Sequence, residues 1–287
     1  MTRVLVTGAS GQLGAMILRA FADCDLRAYT RSALDITDAP AVRAAVRTAE
    51  PEVIINCAAF NDVDGAEDRP IEALAANAFA VRTLSRAADD VGATLVHYST
   101  DFVFDGTGTE PYAEDVPPSP RSTYAASKLL GDWFAMDAVR AFVLRVESLF
   151  GTPRGWAGRN GTLDGLVRGL EEGREVRVFT DRVVSPSYTP DVAAATRYLL
   201  ERNAPAGVYH CVNSGHGTWK DVAEESARLL GIAPRLVPVT MGQVRLRAAR
   251  PRYCALSNRK LADAGFEMPD WRDALKRWMA VRGMAAS

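Results

Sequence analysis

The sequence predicts an α/β fold, a doubly wound parallel sheet with a smaller C-terminal lobe. Three observations carry this. Short apolar, β-branched runs recur through the first half, each followed by a helical pattern, as expected for strands buried on both faces and linked by crossover helices. A glycine turn joins the first run to the first helix. The texture then changes after Gly151, where Gly, Arg and Trp cluster up to Gly161. A chain of 287 residues accommodates one large domain or two unequal lobes.

Arg3–Thr7 reads as the first strand and feeds into Gly8, Ala9, Ser10, Gly11, Gln12, Leu13 and Gly14, ahead of a helical pattern over Ala15–Ala22. Strand, glycine turn and helix in that order make a nucleotide site. Glycines permit the tight turn and close backbone approach, and the helix N-terminus faces a diphosphate. Leu26–Tyr29 is the second strand, ending at Thr30-Arg31-Ser32. An acidic residue there would hold a ribose diol; Arg31 instead suits a 2′-phosphate, so NADPH is expected, with NADH as the alternative. Asp35 and Ile36 flank the adenine or, on the alternative reading, Asp38 merely caps the helix over Ala39–Ala49. Val53–Ala59 is a third strand running into the small residues Cys57, Ala58 and Ala59, over which a cofactor can lie close to the backbone. The loop Asn61–Glu67 carries carboxylates, Asp64 among them, that are either solvated or turned to a substrate. Glu72–Asp90 reads as one long amphipathic helix with Asn77 inside it. Thr94–Tyr98 is the next strand and brings Ser99, Thr100 and Asp101 to the edge where the glycine turn lies.

Beyond a proline-rich loop, Tyr124 and Lys128 stand four apart, on one face of a helix that Ser122 or Thr123 caps. An ammonium beside a phenol favours the phenolate, and such a tyrosine can pass a proton to or from a carbonyl oxygen. Phe142–Val146 is a further strand. After it come a helix over Thr162–Glu172, strands over Val176–Phe179 and Gly207–Val212, and helices over Thr189–Glu201 and Trp219–Leu230. The expected division is a nucleotide-binding domain over 1–150, to which about 176–202 returns, and a mainly substrate-binding lobe over 151–287.

A formal net charge of -1 gives no bulk attraction to nucleic acid or membrane. Cys24, Cys57, Cys211 and Cys254 form no C-x-x-C pair, so buried free thiols in a reducing compartment are expected rather than disulfides or zinc. His210 and His216 lack metal-ligand spacing, and no catalytic metal is expected. With no membrane-length apolar run and no leader ahead of the first strand, the expectation is a cytoplasmic monomer or homodimer. Arg245, Arg247, Arg250 and Arg252 form a basic cluster, read either as ligands for a substrate diphosphate or as a solvated face.

Taken together, TGASGQLG (7–14), INCAAFNDVDGAE (55–67), HYSTDFVFDG (97–106) and YAASK (124–128) resemble the extended short-chain dehydrogenase/reductases, and within them the dTDP-4-dehydrorhamnose reductase group. The resemblance continues through SPSYTPDVA (185–193), GVYHCVNSG (207–215) and RPRYCALSNRKL (250–261). It implies a Rossmann fold and hydride transfer from NAD(P)H to the 4-keto group of a nucleotide-linked deoxysugar. On this resemblance Tyr124 is the general acid, Lys128 lowers its pKa and holds the nicotinamide ribose, and Thr100 hydrogen-bonds the keto oxygen. Gly8, Ser10, Gly11, Gln12, Leu13 and Gly14 wrap the diphosphate. Asp35 and Ile36 take the adenine, and Cys57, Ala58, Ala59 and Asn77 the remainder of the cofactor. Asp64, Phe102, Ser148 and Arg250 fall on the substrate side.

Two departures from the family pattern stand out. Where the family reads R-T-S-W after the tyrosine helix, this chain reads Arg145-Val146-Glu147-Ser148, so a serine replaces a substrate-contacting tryptophan and a carboxylate adjoins it. Trp156 is a candidate to fill that space. Phe102 stands where related 4,6-dehydratases place a glutamate, which argues against dehydration. The competing readings are a sugar-nucleotide epimerase of the same superfamily and a non-catalytic NADP-binding regulatory subunit.

Overall fold

The computed structural model describes residues 1–151 and 161–284; Trp156 lies outside the described residues. β1 (Arg3–Thr7), β2 (Asp25–Tyr29), β3 (Val53–Asn56), β4 (Thr94–Thr100) and β5 (Ala141–Val146) are parallel neighbours in the order β5-β4-β3-β1-β2. They are joined by α1 (Gln12–Ala20), α2 (Ala39–Ala49), α3 (Val63–Asp68), α4 (Pro70–Leu74), α5 (Ala80–Val91) and α6 (Thr123–Met136). The strand order reverses between β1 and β3. Ligands of open α/β sheets bind at the carboxyl ends of the strands flanking such a reversal.

Strand periodicity explains the two layers of helices. Val4, Val6, Val53, Ile55 and Val96 face one side with Leu13 and Ile17 of α1. Leu5, Ile54, Leu95 and Val143 face the other with Val42, Leu84 and Ala135 from α2, α5 and α6. Both faces are covered, so these strands read as continuous apolar runs rather than alternating ones.

Past β5 the chain forms β6 (Leu149–Phe150), α7 (Thr162–Glu171), β7 (Val176–Phe179), β8 (Val183–Val184), β9 (Ser187–Tyr188) and α8 (Thr189–Glu201). Then follow β10 (Gly207–His210), β11 (Gly217–Thr218), α9 (Trp219–Leu230), β12 (Leu236–Val239), α10 (Arg259–Asp263) and α11 (Trp271–Met284). Val192, Ala195 and Leu199 of α8 join the core on the α1 side, and β10 adds a sixth strand beside β5. Within the span 176–202, β7 does not enter the central sheet; it pairs with β12. The position beside β5 is filled by β10, and Val178 is buried with Val167, Val222 and Trp278 in a separate core. No helix among the described residues is long and apolar enough to cross a membrane.

The single long helix expected over Glu72–Asp90 is broken. A π turn over Ala75–Phe79 separates α4 from α5. Asn77 is buried in that turn and bonds away from the helix, its Oδ1 accepting from Phe60 N (2.8 Å) and its Nδ2 donating to Phe60 O (3.0 Å) and Ser127 Oγ (3.0 Å). Its carbonyl also presses on α6, where a Cβ at Gly131 would lie 2.1 Å from Asn77 O. We expect Gly131→Ala to destabilise the protein by about 1–3 kcal/mol through overpacking, read from the midpoint of urea unfolding.

Candidate active site

A cleft of about 530 Å³ opens over the carboxyl ends of β1, β3, β4 and β5. Gly8, ahead of the residues of one wall, has φ +68°, and a Cβ there would sit 2.6 Å from Ala58 N, so the chain after β1 approaches that after β3 to a distance only glycine allows. A Cβ at Gly14 would lie 2.3 Å from Gly8 O, which ties the turn to the start of α1. Gly11 caps α1 without a side chain, leaving the first helical N–H groups facing the cleft. Ser10, Gly11, Gln12, Leu13, Gly14, Cys57, Ala58 and Ala59 all line this wall. Gln12 Nε2 is buried there with no partner among the described residues.

The cleft's far wall holds Thr100, Phe102, Tyr124, Lys128 and Ser148. Ser122 caps α6 by accepting from Ala125 N (3.2 Å), and one turn of helix then brings Tyr124 and Lys128 to the same face. Tyr124 packs edge-on against Phe102 at 5.6 Å between ring centres. Burial, reinforced by the charge of Asp101, raises the Tyr124 phenol above its ordinary value, and the Thr100 hydroxyl opposes this.

Lys128 does not bring about the lowering expected from the sequence. Its Nζ donates to Tyr98 O at 2.6 Å, and burial brings its own pKa down to about 8 against the pull of Asp132. His97 gives the lysine no counter-charge. Asn56 Oδ1 accepts from Thr7 Oγ1 (2.7 Å) and Ala58 N (3.2 Å), so its amide donates to His97 Nδ1 at 3.1 Å. That leaves the hydrogen on Nε2, 3.4 Å from Lys128 Nζ. Burial also holds His97 well below its ordinary pKa, hence neutral.

Other expected residues fall differently. Arg31 lies just past β2, its side chain 87% exposed and its Nε 3.8 Å from Asp35 Oδ2. Asp35 turns to Thr37, accepting from its N (2.9 Å) and its hydroxyl (2.8 Å), while Ile36 is buried in the core. Both stand at the carboxyl end of the sheet but outside the main cleft. Asn77, expected on the cofactor, does not line the cleft: its side chain bonds to Phe60 and Ser127. Asp64 and Arg250 both reach the cleft but hold each other, Nη1 to Oδ1 at 2.9 Å and Nη2 to Oδ2 at 2.8 Å, which brings the Asp64 carboxyl down to about 2. Within the basic cluster Arg247 pairs with Asp68 and Arg252 with Asp181, so these guanidinium groups are already neutralised.

Ser148, in the tryptophan position of the family pattern, has φ +45° and lines the cleft. Trp219 stands at the cleft instead, brought there by the first turn of α9. Asp101 and Arg182 also line the cleft, and the Arg182 guanidinium lies 5.5 Å from the Phe102 ring centre. Sequence reasoning missed Arg182 and Trp219. Arg182 stands three residues ahead of the SPSYTPDVA run, while Trp219 carried no local signal.

The comparisons agree with this geometry. The family model described as RmlD substrate binding domain matches residues 1–283. A dTDP-4-dehydrorhamnose reductase of Streptomyces griseus is 38% identical over 95% of this chain and 91% of its own length. A dTDP-4-keto-6-deoxy-D-glucose reductase of Streptomyces niveus is 37% identical over 95% of each chain. The crystal structure of a Bacillus anthracis dTDP-4-dehydrorhamnose reductase in complex with NADP gives a TM-score of 0.92 at 32% identity, covering 98% of this chain and 99% of that one. The chain belongs to the dTDP-4-dehydrorhamnose reductase family of extended short-chain dehydrogenase/reductases.

Proposed function

We propose that this protein reduces the 4-keto group of a dTDP-linked 6-deoxysugar, using NADPH, in deoxysugar biosynthesis. The observation that carries the reading is the convergence of Thr100, Tyr124 and Lys128 on a cleft whose opposite wall is a glycine turn at a helix N-terminus. The residues fit a dinucleotide. Gly8 and Gly14 let the turn pack directly on the backbone of Ala58 and of Gly8 itself, Cys57, Ala58 and Ala59 line the cleft with short side chains, and Gln12 Nε2 is a buried donor with no partner among the described residues. When bound, NADPH supplies the hydride.

The protein's own part is to orient the sugar and manage a proton. Carbonyl reduction builds negative charge on oxygen, and the hydroxyls of Thr100 and Tyr124 are the donors that meet it. A phenol held above its ordinary pKa keeps its proton at neutral pH, the state needed to deliver it to the oxygen. Lys128 would hold the nicotinamide ribose, and its ammonium, beside Tyr124 on the same helix face, would favour departure of the phenolic proton. The four free cysteines fit a reducing compartment, and the reading places the enzyme in the cytoplasm.

The test offers dTDP-4-dehydrorhamnose and dTDP-4-keto-6-deoxyglucose side by side and follows NADPH absorbance. Consumption with either supports the reading. Failure with both, while NADPH still binds, overturns it in favour of the regulatory subunit. The preference between the two sugars reports how Ser148 and Trp219 shape the pocket. Cofactor choice has its own check: Arg31→Ala should raise KM for NADPH about tenfold or more through loss of a charge-assisted 2′-phosphate contact, and leave KM for NADH unchanged.

A further inference from the structure

Behind Thr100 lies a buried acid pair that the reduction described above does not use. Asp101 is 3% exposed and Glu147 2%, and an oxygen of each lies within 4.8 Å of the other and of the Cys254 sulfur. Each carboxylate keeps one oxygen without a partner among the described residues, Asp101 Oδ2 and Glu147 Oε1. Their other oxygens are engaged. Glu147 Oε2 accepts from Ser185 N at 2.6 Å, and Asp101 Oδ1 accepts from the Thr100 hydroxyl at 3.0 Å. Two ionised carboxylates this close in a dry site repel strongly, so such pairs hold one proton between them. Burial raises both, the negative charge of Asp101 raises Glu147 further, and Arg182 opposes the shift in each. Cys254, Tyr124 and Tyr253 are the other titratable groups facing the pair, and each thiol or phenol is itself raised and so uncharged at neutral pH. Arg182 is the cation there, its Nη2 3.8 Å from the Cys254 sulfur.

The consequence falls on Thr100. Its hydroxyl donates to Asp101 Oδ1, and its oxygen accepts from Phe102 N at 3.2 Å. A hydroxyl has one hydrogen, so while Asp101 takes it, none remains for a substrate oxygen. We propose that Asp101 and Glu147 hold a single proton between them and that, when it rests on Asp101 Oδ1 with Glu147 ionised, the Thr100–Asp101 hydrogen bond reverses, freeing the Thr100 hydrogen for the keto oxygen. Glu147 acts through Asp101 and is a positioning residue. The idea rests on the ketoreductase reading for its consequence in turnover, though not for the shared proton itself. It also gives Glu147, where this chain departs from the family pattern, a definite task.

Two measurements test it. The infrared spectrum of the wild-type protein at pH 7 should contain the carbonyl stretch of a buried protonated carboxyl, lost in Glu147→Gln, which keeps the acceptor for Ser185 N. In turnover, Glu147→Gln removes the like charge, so Asp101 ionises at lower pH. Its kcat should fall about tenfold at alkaline pH for each pH unit by which that limb moves, converge on wild type as pH falls, and leave KM unchanged. Asp101→Asn, a fixed donor to Thr100, should lose this limb altogether. Absence of the infrared band in wild type, its persistence in Glu147→Gln, or a Glu147→Gln pH profile parallel to wild type at every pH would overturn the proposal. If wild type reduces no keto sugar, the functional reading fails, and the infrared band still decides whether the proton is shared.

Discussion

Replacing Tyr124 with phenylalanine lowers kcat by about 10²–10⁴-fold, the usual worth of a positioned general acid, while NADPH binding is retained. The substitution removes one oxygen and keeps the ring. The edge-on contact with Phe102 and the helix N-terminus capped by Ser122 remain, so the fold should not respond. The glycine turn proposed to hold the diphosphate lies between β1 and α1, on the wall of the cleft away from Tyr124. Fluorescence titration with NADPH alongside steady-state turnover separates the two effects. A Tyr124→Phe enzyme turning over at the wild-type rate would show that another group donates the proton.

Replacing Arg145 with alanine lowers stability by about 3–5 kcal/mol, because it strands a buried charge. Arg145 Nε reaches Asp132 Oδ2 at 3.3 Å with side chains only 5% and 2% exposed, and its guanidinium lies 5.2 Å from the Phe104 ring centre. Asp132 already has one oxygen without a partner among the described residues, and burial raises its pKa even with Arg145 present. Without the guanidinium the carboxyl rises further. Asp132 of the variant then holds its proton more firmly in the folded than in the unfolded state, so the loss of stability relative to wild type shrinks as pH falls and grows as pH rises. Denaturant unfolding at two pH values measures both the loss and its sign. Equal stability of variant and wild type would mean that the pair contributes nothing over its separate, relaxed parts.

Which parts of this molecule were legible in sequence follows from how local their causes are. β1, the glycine turn and α1 are contiguous, and the turn's conformation is written in Gly8 itself, so strand, turn and helix read off directly. The Tyr124–Lys128 face needs only helix geometry and the Ser122 cap. The break in the helix after Leu74 was invisible, because it depends on Asn77 meeting Phe60 and Ser127, residues 17 and 50 positions away. The partner of β7 was equally hidden: its residues look like any buried strand, and only the fit against α7, α9 and α11 sends it to β12. Trp219 and Arg182 reach the cleft from the chain beyond β5, and no spacing rule links them to β4 or α6. The direction of the Tyr124 shift was misread for a related reason. Proximity to Lys128 was foreseeable from spacing, whereas the burial of both groups and the capture of Nζ by Tyr98 O were not.

On the proposed function, hydride reaches C4 of the sugar while Tyr124 supplies the proton. NADPH carrying deuterium at both positions of nicotinamide C4 tests this, with the sugar-nucleotide product examined by proton NMR. The wild-type product should carry one deuterium at sugar C4, and Tyr124→Phe should form none on the same timescale. Deuterium at another carbon, or a converted sugar with no deuterium while NADPH is unconsumed, would contradict it.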